Sequence, residues 1–189
     1  MAFSVFKQSY TNKSDEALML LVMNDGNEKA FEELYDRYCK KLIAFSTRIL
    51  MSKEIAEDIV HDTFIKIIDN PKAFNPSQTF STWVYTLVNN ASINALNSIN
   101  NRGRLLEENY FQMDVSVLKL SMDAKLIQNK INELFKNLSD KEKSIFVLRF
   151  EHDLSIKEIA NIIEIPEGSV KSCLYYLLKK ISEEIKHLK

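Results

Sequence analysis

Apolar residues recur at steps of three and four along the segment that follows Asn27, a spacing typical of one face of an amphipathic helix. The positions are Phe31, Leu34, Tyr35, Tyr38, Leu42, Phe45 and Ile49. A shorter helix is expected before this segment, at about Ser14–Asn24. The pattern predicts that residues 27–49 form a long helix with one buried face.

The next two helices are indicated by signals at their ends. Ser52 is placed to cap a second helix, which we expect to end at about Asp69 because Pro71 follows. The loop "KAFNPSQTF", residues 72–80, leads into a third helix from about Ser81 to Asn97. These two helices and the two before them are expected to pack as one four-helix domain.

The last third of the chain predicts a smaller helical domain. The segments "SDKE" (Ser139–Glu142) and "SIKE" (Ser155–Glu158) both have the Ser-x-x-Glu spacing of a capping box, which marks a helix start. A further helix follows the turn "IPEGS" and runs towards the C-terminus. This order is that of a helix-turn-helix, and Ala160 is the small residue expected where its two helices cross.

Composition supports a fold made of helices. The chain of 189 residues contains three glycines and three prolines, and sheets and hairpins usually need more turn residues than that. Residues 101–125 contain Gly103 and show no sustained period, which indicates a linker within this segment. The predicted fold class is all-α, with two helical domains (residues 1–103 and 126–189) joined by a linker at 104–125.

The charge of the chain limits how strongly it can bind DNA unaided. The formal net charge is −1, with 12 Lys and Arg against 14 Asp and Glu in residues 1–110, and 11 against 10 in residues 126–189. A protein that binds DNA by itself usually neutralises several phosphates with a basic surface. We therefore expect DNA binding by the isolated chain to be weak unless a partner supplies affinity.

No segment of the sequence indicates secretion or a membrane. The N-terminal stretch "MAFSVFKQSYTNKSDE" has no basic segment followed by an apolar core, and no apolar run approaches the roughly 20 residues of a membrane span. Cys39 and Cys173 lack metal-ligand spacing and are expected to be free thiols in a reducing compartment. The sequence predicts a cytoplasmic protein with no membrane span of its own.

One face of the second helix carries a set of acidic residues, which we call the acidic arc. It consists of Glu54, Glu57, Asp58 and Asp62, spread over about 140° with Ile65 inside it. Like charges at i,i+4 cost about 0.2–0.5 kcal/mol each in an isolated helix, and a solvated face more commonly interleaves lysines. The arc suits docking on a basic, partly apolar partner; an ordinary polar face is an equal alternative.

The third helix carries an asparagine stripe, formed by Asn90, Asn94, Asn97 and Asn101 in line with Trp83. Asparagine is a mediocre helix former, so four along one face need a reason. An amide can bond to an adenine edge, and a nearby aromatic ring can stack on an unpaired base. The alternative is a polar helix surface with the tryptophan in the core.

The outward side of the last helix, which we call the recognition face, offers hydroxyl and ammonium groups. It consists of Ser169, Lys171, Ser172, Tyr175, Tyr176 and Lys179. The opposite side is apolar and is expected to face the core. Such groups, together with the N-terminus of the helix, can bind phosphates. The alternative is a helical hairpin that binds protein instead of DNA.

In order and spacing, four segments resemble those of bacterial extracytoplasmic-function (ECF) sigma factors, the small two-domain specificity subunits of RNA polymerase. They are "NEKAFEELYDRYCKKLIAFSTRIL", "AEDIVHDTFIKII", "FSTWVYTLVNNASINAL" and "LSDKEKSIFVLRFEHDLSIKEIANIIEIPEGSVKS". The chain differs from the family pattern in its last helix. Cys173 stands where the family commonly has an arginine, and Tyr176–Leu177 replace a common Arg-Ala pair.

The resemblance implies a role for each surface. The acidic arc and Ile65 would dock on the clamp helices of core RNA polymerase, and the linker would pass through the RNA-exit region. Glu167 and the recognition face would enter the major groove at the minus-thirty-five element. A further set would contact and melt the minus-ten element: Asn75, Ser77, Gln78, Thr79, Trp83, the asparagine stripe and Arg102.

Other functions are less well supported. His61, His152 and His187 show no metal spacing, and no phosphate loop or nucleophile–base pair is evident, so neither an enzyme nor a cofactor is expected. The predicted partners are core RNA polymerase, promoter DNA and an anti-sigma factor. The alternatives are a stand-alone helix-turn-helix regulator and a sigma-like interaction protein whose DNA binding has decayed.

Overall fold

The computed structural model describes residues 10–102, 133–135 and 137–186, with side chains up to residue 99 in the first range and up to residue 183 in the last. All regular secondary structure in these ranges is helical. The chain divides into two compact units between Arg102 and Gly103. The predicted all-α fold with two helical domains is confirmed, and the predicted linker at 104–125 lies outside the described residues.

Besides the helical residues 10 and 11, the described part of the first unit contains four α-helices and one 3-10 turn. They are α1 (Asp15–Asp25), α2 (Glu28–Leu50), α3 (Lys53–Asp69), the turn Pro71–Ala73 and α4 (Phe80–Arg102). Ser14, Asn27 and Ser52 cap the first three helices by accepting hydrogen bonds from backbone N–H groups three residues on. Each cap satisfies a donor that has no partner within its helix, and the predicted cap at Ser52 is confirmed.

α4 is longer than the sequence pattern predicts. We expected it to end at about Asn97, but it continues to Arg102, so residues 101 and 102 are helical and not part of a linker. Residues 98–102 contain neither glycine nor proline, and Gly103 is the first such residue after the helix begins. Nothing in the local sequence therefore stops the helix at Asn97.

Arg37 fastens the chain that precedes α1 onto α2. Its guanidinium donates to Oε1 of Glu33 at 2.9 Å and to Oδ1 of Asp15 at 2.6 Å. It also donates to three backbone carbonyl oxygens within Tyr10–Lys13, at 2.9 to 3.2 Å. A guanidinium has five N–H donors, and all five are used here.

Replacing Arg37 with lysine is expected to loosen α1, because one ammonium cannot make these five bonds in their fixed geometry. Hydrogen bonds that involve a charged group contribute about 1.5–3 kcal/mol, and partial exposure reduces that value. We expect amide exchange in α1 to become about 5–30-fold faster. Hydrogen–deuterium exchange measures this, with Arg149→Lys in the second unit as the control; unchanged exchange in α1 would contradict the assignment.

The start and the middle of α4 are tied to different helices. Oε1 of Glu16 in α1 accepts a hydrogen bond from the backbone N–H of Phe80 at 3.0 Å. The first amides of a helix have no partner within it, and a carboxylate there also complements the helix dipole. Further along, the buried hydroxyls of Ser46 in α2 and Ser92 lie 2.8 Å apart. These contacts set the position of α4 within the first unit.

Besides the helical residues 133–135, the described part of the second unit contains three further α-helices: α5 (Asp140–Phe150), α6 (Ile156–Ile163) and α7 (Glu167–Lys186). Both predicted capping boxes are confirmed: Ser139 N–H donates to Glu142 and Ser155 N–H donates to Glu158, each at 2.8 Å. Hydrogen bonds from Ser139 lower the pKa of Glu142. Ala160 is buried, and α6 and α7 form the predicted helix-turn-helix.

Candidate functional site

The acidic arc lies on the outer side of α3. Glu54, Asp58 and Asp62 are exposed, whereas Glu57 is half-buried and forms an ion pair with Lys53 at 3.4 Å. All four predicted carboxylates therefore lie on a single helix face. Their side chains are available to a partner, with Glu57 the most constrained.

Two large apolar side chains are exposed within the same face. Ile65 is 55% exposed, as the sequence pattern predicts, and Ile68 is 52% exposed. Ile68 is not among the residues predicted from the sequence, although at 100° per residue it lies about 40° from Glu54 and so within the arc. The surface is therefore a pair of isoleucines surrounded by carboxylates.

α2 supports the acidic arc from behind. Phe64 packs edge-on against Phe31 and Tyr35, with ring centroids 5.9 and 4.9 Å apart. The Tyr35 hydroxyl lies 3.1 Å from Nδ1 of His61. Its contact with the Cys39 thiol and its burial raise the pKa of Tyr35 to about 12. These contacts hold α3 in one orientation on α2.

The loop before α4 is ordered by its own hydrogen bonds. Oδ1 of Asn75 accepts from Ser77 N–H at 3.0 Å, and the Asn75 carbonyl accepts from Gln78 N–H at 3.1 Å. Thr79 caps α4, since its hydroxyl accepts from Thr82 N–H at 3.3 Å. Asn75, Ser77 and Thr79 are exposed and Gln78 is half-buried. The loop presents polar groups in a fixed turn immediately before the helix.

The asparagine stripe lies on the exposed side of α4. Asn90, Asn94 and Asn97 are all exposed, whereas the side chains of Asn101 and Arg102 lie outside the described residues. Asn89, beside the stripe, is 5% exposed, and its Nδ2 donates to Oδ1 of Asn90 at 3.4 Å. A buried amide therefore holds the first amide of the stripe in position.

Trp83 does not belong to this exposed surface. It is 9% exposed, and its ring packs against Phe74 and Phe80 with centroids 5.2 and 6.0 Å apart. Phe80 in turn packs on Tyr38 of α2 at 5.2 Å. The ring cannot stack on a base without leaving this cluster. The prediction that placed Trp83 on the DNA is wrong for this structure, and its alternative, a core tryptophan, is correct.

The recognition face lies on the exposed side of α7. All six of its residues are exposed, as is Glu167. Tyr175 and Tyr176 are the most prominent, at 65% and 66% exposed, with ring centroids 5.5 Å apart. On the opposite side Val170, Leu174 and Leu177 are buried. The division of α7 into a core side and an outward side is confirmed.

The described ranges hold neither a cluster of metal ligands nor a helix that could span a membrane. Within residues 10–102, 133–135 and 137–186, no group of three or more His, Cys, Asp or Glu side chains is placed to hold a metal ion. None of the helices described there has the length and apolar content that a membrane span requires. The candidate surfaces described above are a docking face suited to a protein partner and two polar faces suited to nucleic acid.

Comparison with known proteins identifies the family. Two family models match: Sigma-70 region 2 over residues 34–102 and Sigma-70 region 4 over residues 134–183. The ECF RNA polymerase sigma factor SigW of Bacillus subtilis is 27% identical, over 86% of this chain and 92% of its own. The ECF RNA polymerase sigma-E factor of Haemophilus influenzae is 29% identical, over 93% and 97%. The chain belongs to the ECF sigma factors of the sigma-70 family.

A solved structure agrees with the fold of this sigma factor. It is the sigma factor RpoE of Bartonella quintana in complex with the anti-sigma factor NepR. It has a TM-score of 0.66 and 19% sequence identity, and the match covers 84% of this chain and 98% of that one. At this identity the likeness supports the fold alone.

As an ECF sigma factor, the protein directs RNA polymerase to specific promoters and initiates transcription. The region 2 match contains the acidic arc, the loop before α4 and the asparagine stripe. The region 4 match contains the helix-turn-helix and the recognition face. Each candidate surface of the sigma factor therefore lies within a matched region.

Proposed function

We propose that this sigma factor divides its work among three surfaces. The acidic arc, with Ile65 and Ile68, docks on core RNA polymerase. The loop Asn75–Thr79 and the asparagine stripe contact the minus-ten element while its strands separate, and the recognition face reads the minus-thirty-five element. Residues 1–103 carry the first two tasks and residues 126–189 the third, with residues 104–125 as the linker.

The observation that carries the proposal is the pair of exposed isoleucines within the acidic arc. Two large apolar side chains, each more than half exposed, lie among three exposed carboxylates. An apolar centre with a charged rim is typical of a protein interface. The carboxylates favour a basic partner and select its orientation. This surface is better suited to a protein partner than to DNA, whose phosphates it would repel.

The asparagine stripe supports contact with the minus-ten element. Exposed amides at Asn90, Asn94 and Asn97 follow one side of a helix whose other side is buried. An asparagine amide both donates and accepts, and can bond in a bidentate way to adenine. The stripe carries no charge of its own, so it favours base edges over phosphates.

The low charge of the chain fits this division of work. Two weak DNA readers that are held by one polymerase gain affinity through effective concentration, without additional contacts by either reader. The same low charge limits binding of the free protein to unrelated DNA, since phosphate contacts dominate non-specific affinity. The sigma factor would then bind promoters well only as part of the holoenzyme.

The test compares the isolated chain with the holoenzyme on one promoter fragment at physiological salt. We expect the isolated chain to bind within the non-specific range, about 10⁻⁴–10⁻⁶ M. The holoenzyme is expected to bind specifically and to produce transcripts that core polymerase alone does not. Fluorescence anisotropy and run-off transcription measure the two results. Tight, sequence-specific binding by the isolated chain would favour a stand-alone regulator instead.

The cellular setting follows from the same proposal. The protein would act in the cytoplasm, where polymerase and DNA are, without catalytic activity or a cofactor of its own. The Bartonella quintana RpoE was solved with the anti-sigma factor NepR. By analogy, an anti-sigma factor is the further partner proposed for this chain.

A further inference from the structure

The recognition face has few groups that can read guanine. Residues 167–177, which form the first three turns of α7, contain a single basic residue, Lys171. Guanine in the major groove is most often read by a bidentate arginine or by lysine. Lys179 lies about two turns beyond Lys171, and its Nζ is 4.0 Å from the carboxylate of Glu183. This arrangement is poorly suited to an element that depends on guanine.

The serine in the middle of the face is also limited in what it can donate. Oγ of Ser172 donates to the carbonyl oxygen of Gly168 at 2.9 Å. A hydroxyl has one donor and two acceptor positions. With its proton bound to the helix backbone, Ser172 offers the groove an acceptor, so it is not suited to a phosphate oxygen.

Tyr175 and Tyr176 are the most exposed of the large hydrophobic side chains described on α7. They are 65% and 66% exposed, and around the helix axis they lie on opposite sides of Ser172, at about 60° and 40° from it. Their rings meet edge to face, with centroids 5.5 Å apart. The two rings pack against each other and together form a broad apolar surface beside the polar side chains of the recognition face. In the major groove the apolar feature of a base pair is the methyl group of thymine.

We propose that Tyr175 and Tyr176 make this sigma factor select thymine in the minus-thirty-five element, through contact between their rings and thymine methyl groups. The inference rests on the proposed function of the recognition face and adds the base that it reads. The two phenol hydroxyls lie at the ends of the rings and bond to neighbouring phosphates. Specificity therefore comes from apolar contact, with little contribution from charge.

The test uses holoenzyme assembled from the full sigma factor and core RNA polymerase. Promoters are selected from a duplex library randomised across the minus-thirty-five element, and thymines in the selected element are then replaced by uracil, which lacks only the methyl group. We expect thymine to be enriched, and promoter binding to fall about fourfold for each contacted methyl group removed. The same replacement in the spacer is the control and should have no effect.

Variants separate the rings from the hydroxyls. The ratio to follow is holoenzyme affinity for the thymine promoter divided by its affinity for the uracil promoter. Tyr175→Ala and Tyr176→Ala should bring this ratio close to one, whereas the two Tyr→Phe variants should preserve it. Phe150→Ala is the matched control, because it removes a ring that is 43% exposed from α5 of the same unit. It should leave the ratio unchanged.

The possible outcomes distinguish this inference from the proposed function. A selected element without thymine, equal binding of thymine and uracil DNA, or an unchanged ratio in both alanine variants would overturn the inference. The proposed function would stand in all three cases, because a promoter was still selected. Failure of a folded holoenzyme to select any promoter would contradict the proposed function itself.

Discussion

Lysine in place of Asp58 is expected to abolish capture of core RNA polymerase, with affinity at least about 100-fold lower. Asp58 is exposed near the middle of the acidic arc, with Glu54 and Asp62 one turn away on either side. Lysine would place a positive charge against a basic partner, and like charges that face each other in an interface cost several kcal/mol. Anisotropy of labelled sigma factor titrated with core polymerase measures the loss.

The control for this variant is Asp25→Lys, which makes the same charge reversal at the exposed end of α1. Asp25 lies outside the arc, so this variant should bind polymerase like the wild type. A lysine at the end of a helix also complements the helix dipole, which protects the fold. Full capture by Asp58→Lys would rule out docking through the arc, whereas equal loss in both variants would indicate a general effect of charge.

The double change Asn94→Ala and Asn97→Ala is expected to prevent open-complex formation while polymerase binding stays intact. Each good amide–base contact contributes about 1–3 kcal/mol of discrimination, so loss of two should lower open-complex occupancy by at least about 30-fold. Alanine favours helix more than asparagine does, so α4 should remain folded. Permanganate reactivity of unpaired thymines in the minus-ten element measures strand separation.

The matched control is Asn24→Ala, which removes an exposed amide from α1 of the same unit. Strand separation by this variant should equal that of the wild type. Polymerase capture is measured for each variant alongside melting. If the double variant lost capture and melting to the same extent, the stripe would have a structural role and the proposed contact with DNA would be wrong.

Helix starts are the part of this fold that the sequence predicts best. Ser139 and Ser155 each bond to a glutamate three residues away, so the whole signal lies within four positions of the chain. The division of α7 into a buried and an exposed side can be predicted equally well, because a helix repeats its faces every 3.6 residues. Local spacing is sufficient for both features. Ile68 was predictable in the same way, from its direction on α3.

Features that depend on distant residues were not predictable from local patterns. The bonds of Arg37 to Asp15 and Tyr10 join residues 22 and 27 positions apart, and only its pair with Glu33 follows helical spacing. Trp83 lies in the core because Phe74, from the preceding loop, packs on its ring. The sequence placed it in line with the asparagine stripe, and tertiary packing decided between the two alternatives.

The hydrogen bond between Glu16 and Phe80 limits how this domain can be isolated for separate study. The Sigma-70 region 2 match begins at residue 34, so a fragment trimmed to the match would lack α1. The first amide of α4 would lose its carboxylate partner, and Arg37 would lose all five of its acceptors, including Glu33. Such a fragment would underestimate promoter melting for reasons unrelated to DNA contact. Fragments for spectroscopy should begin at or before Tyr10.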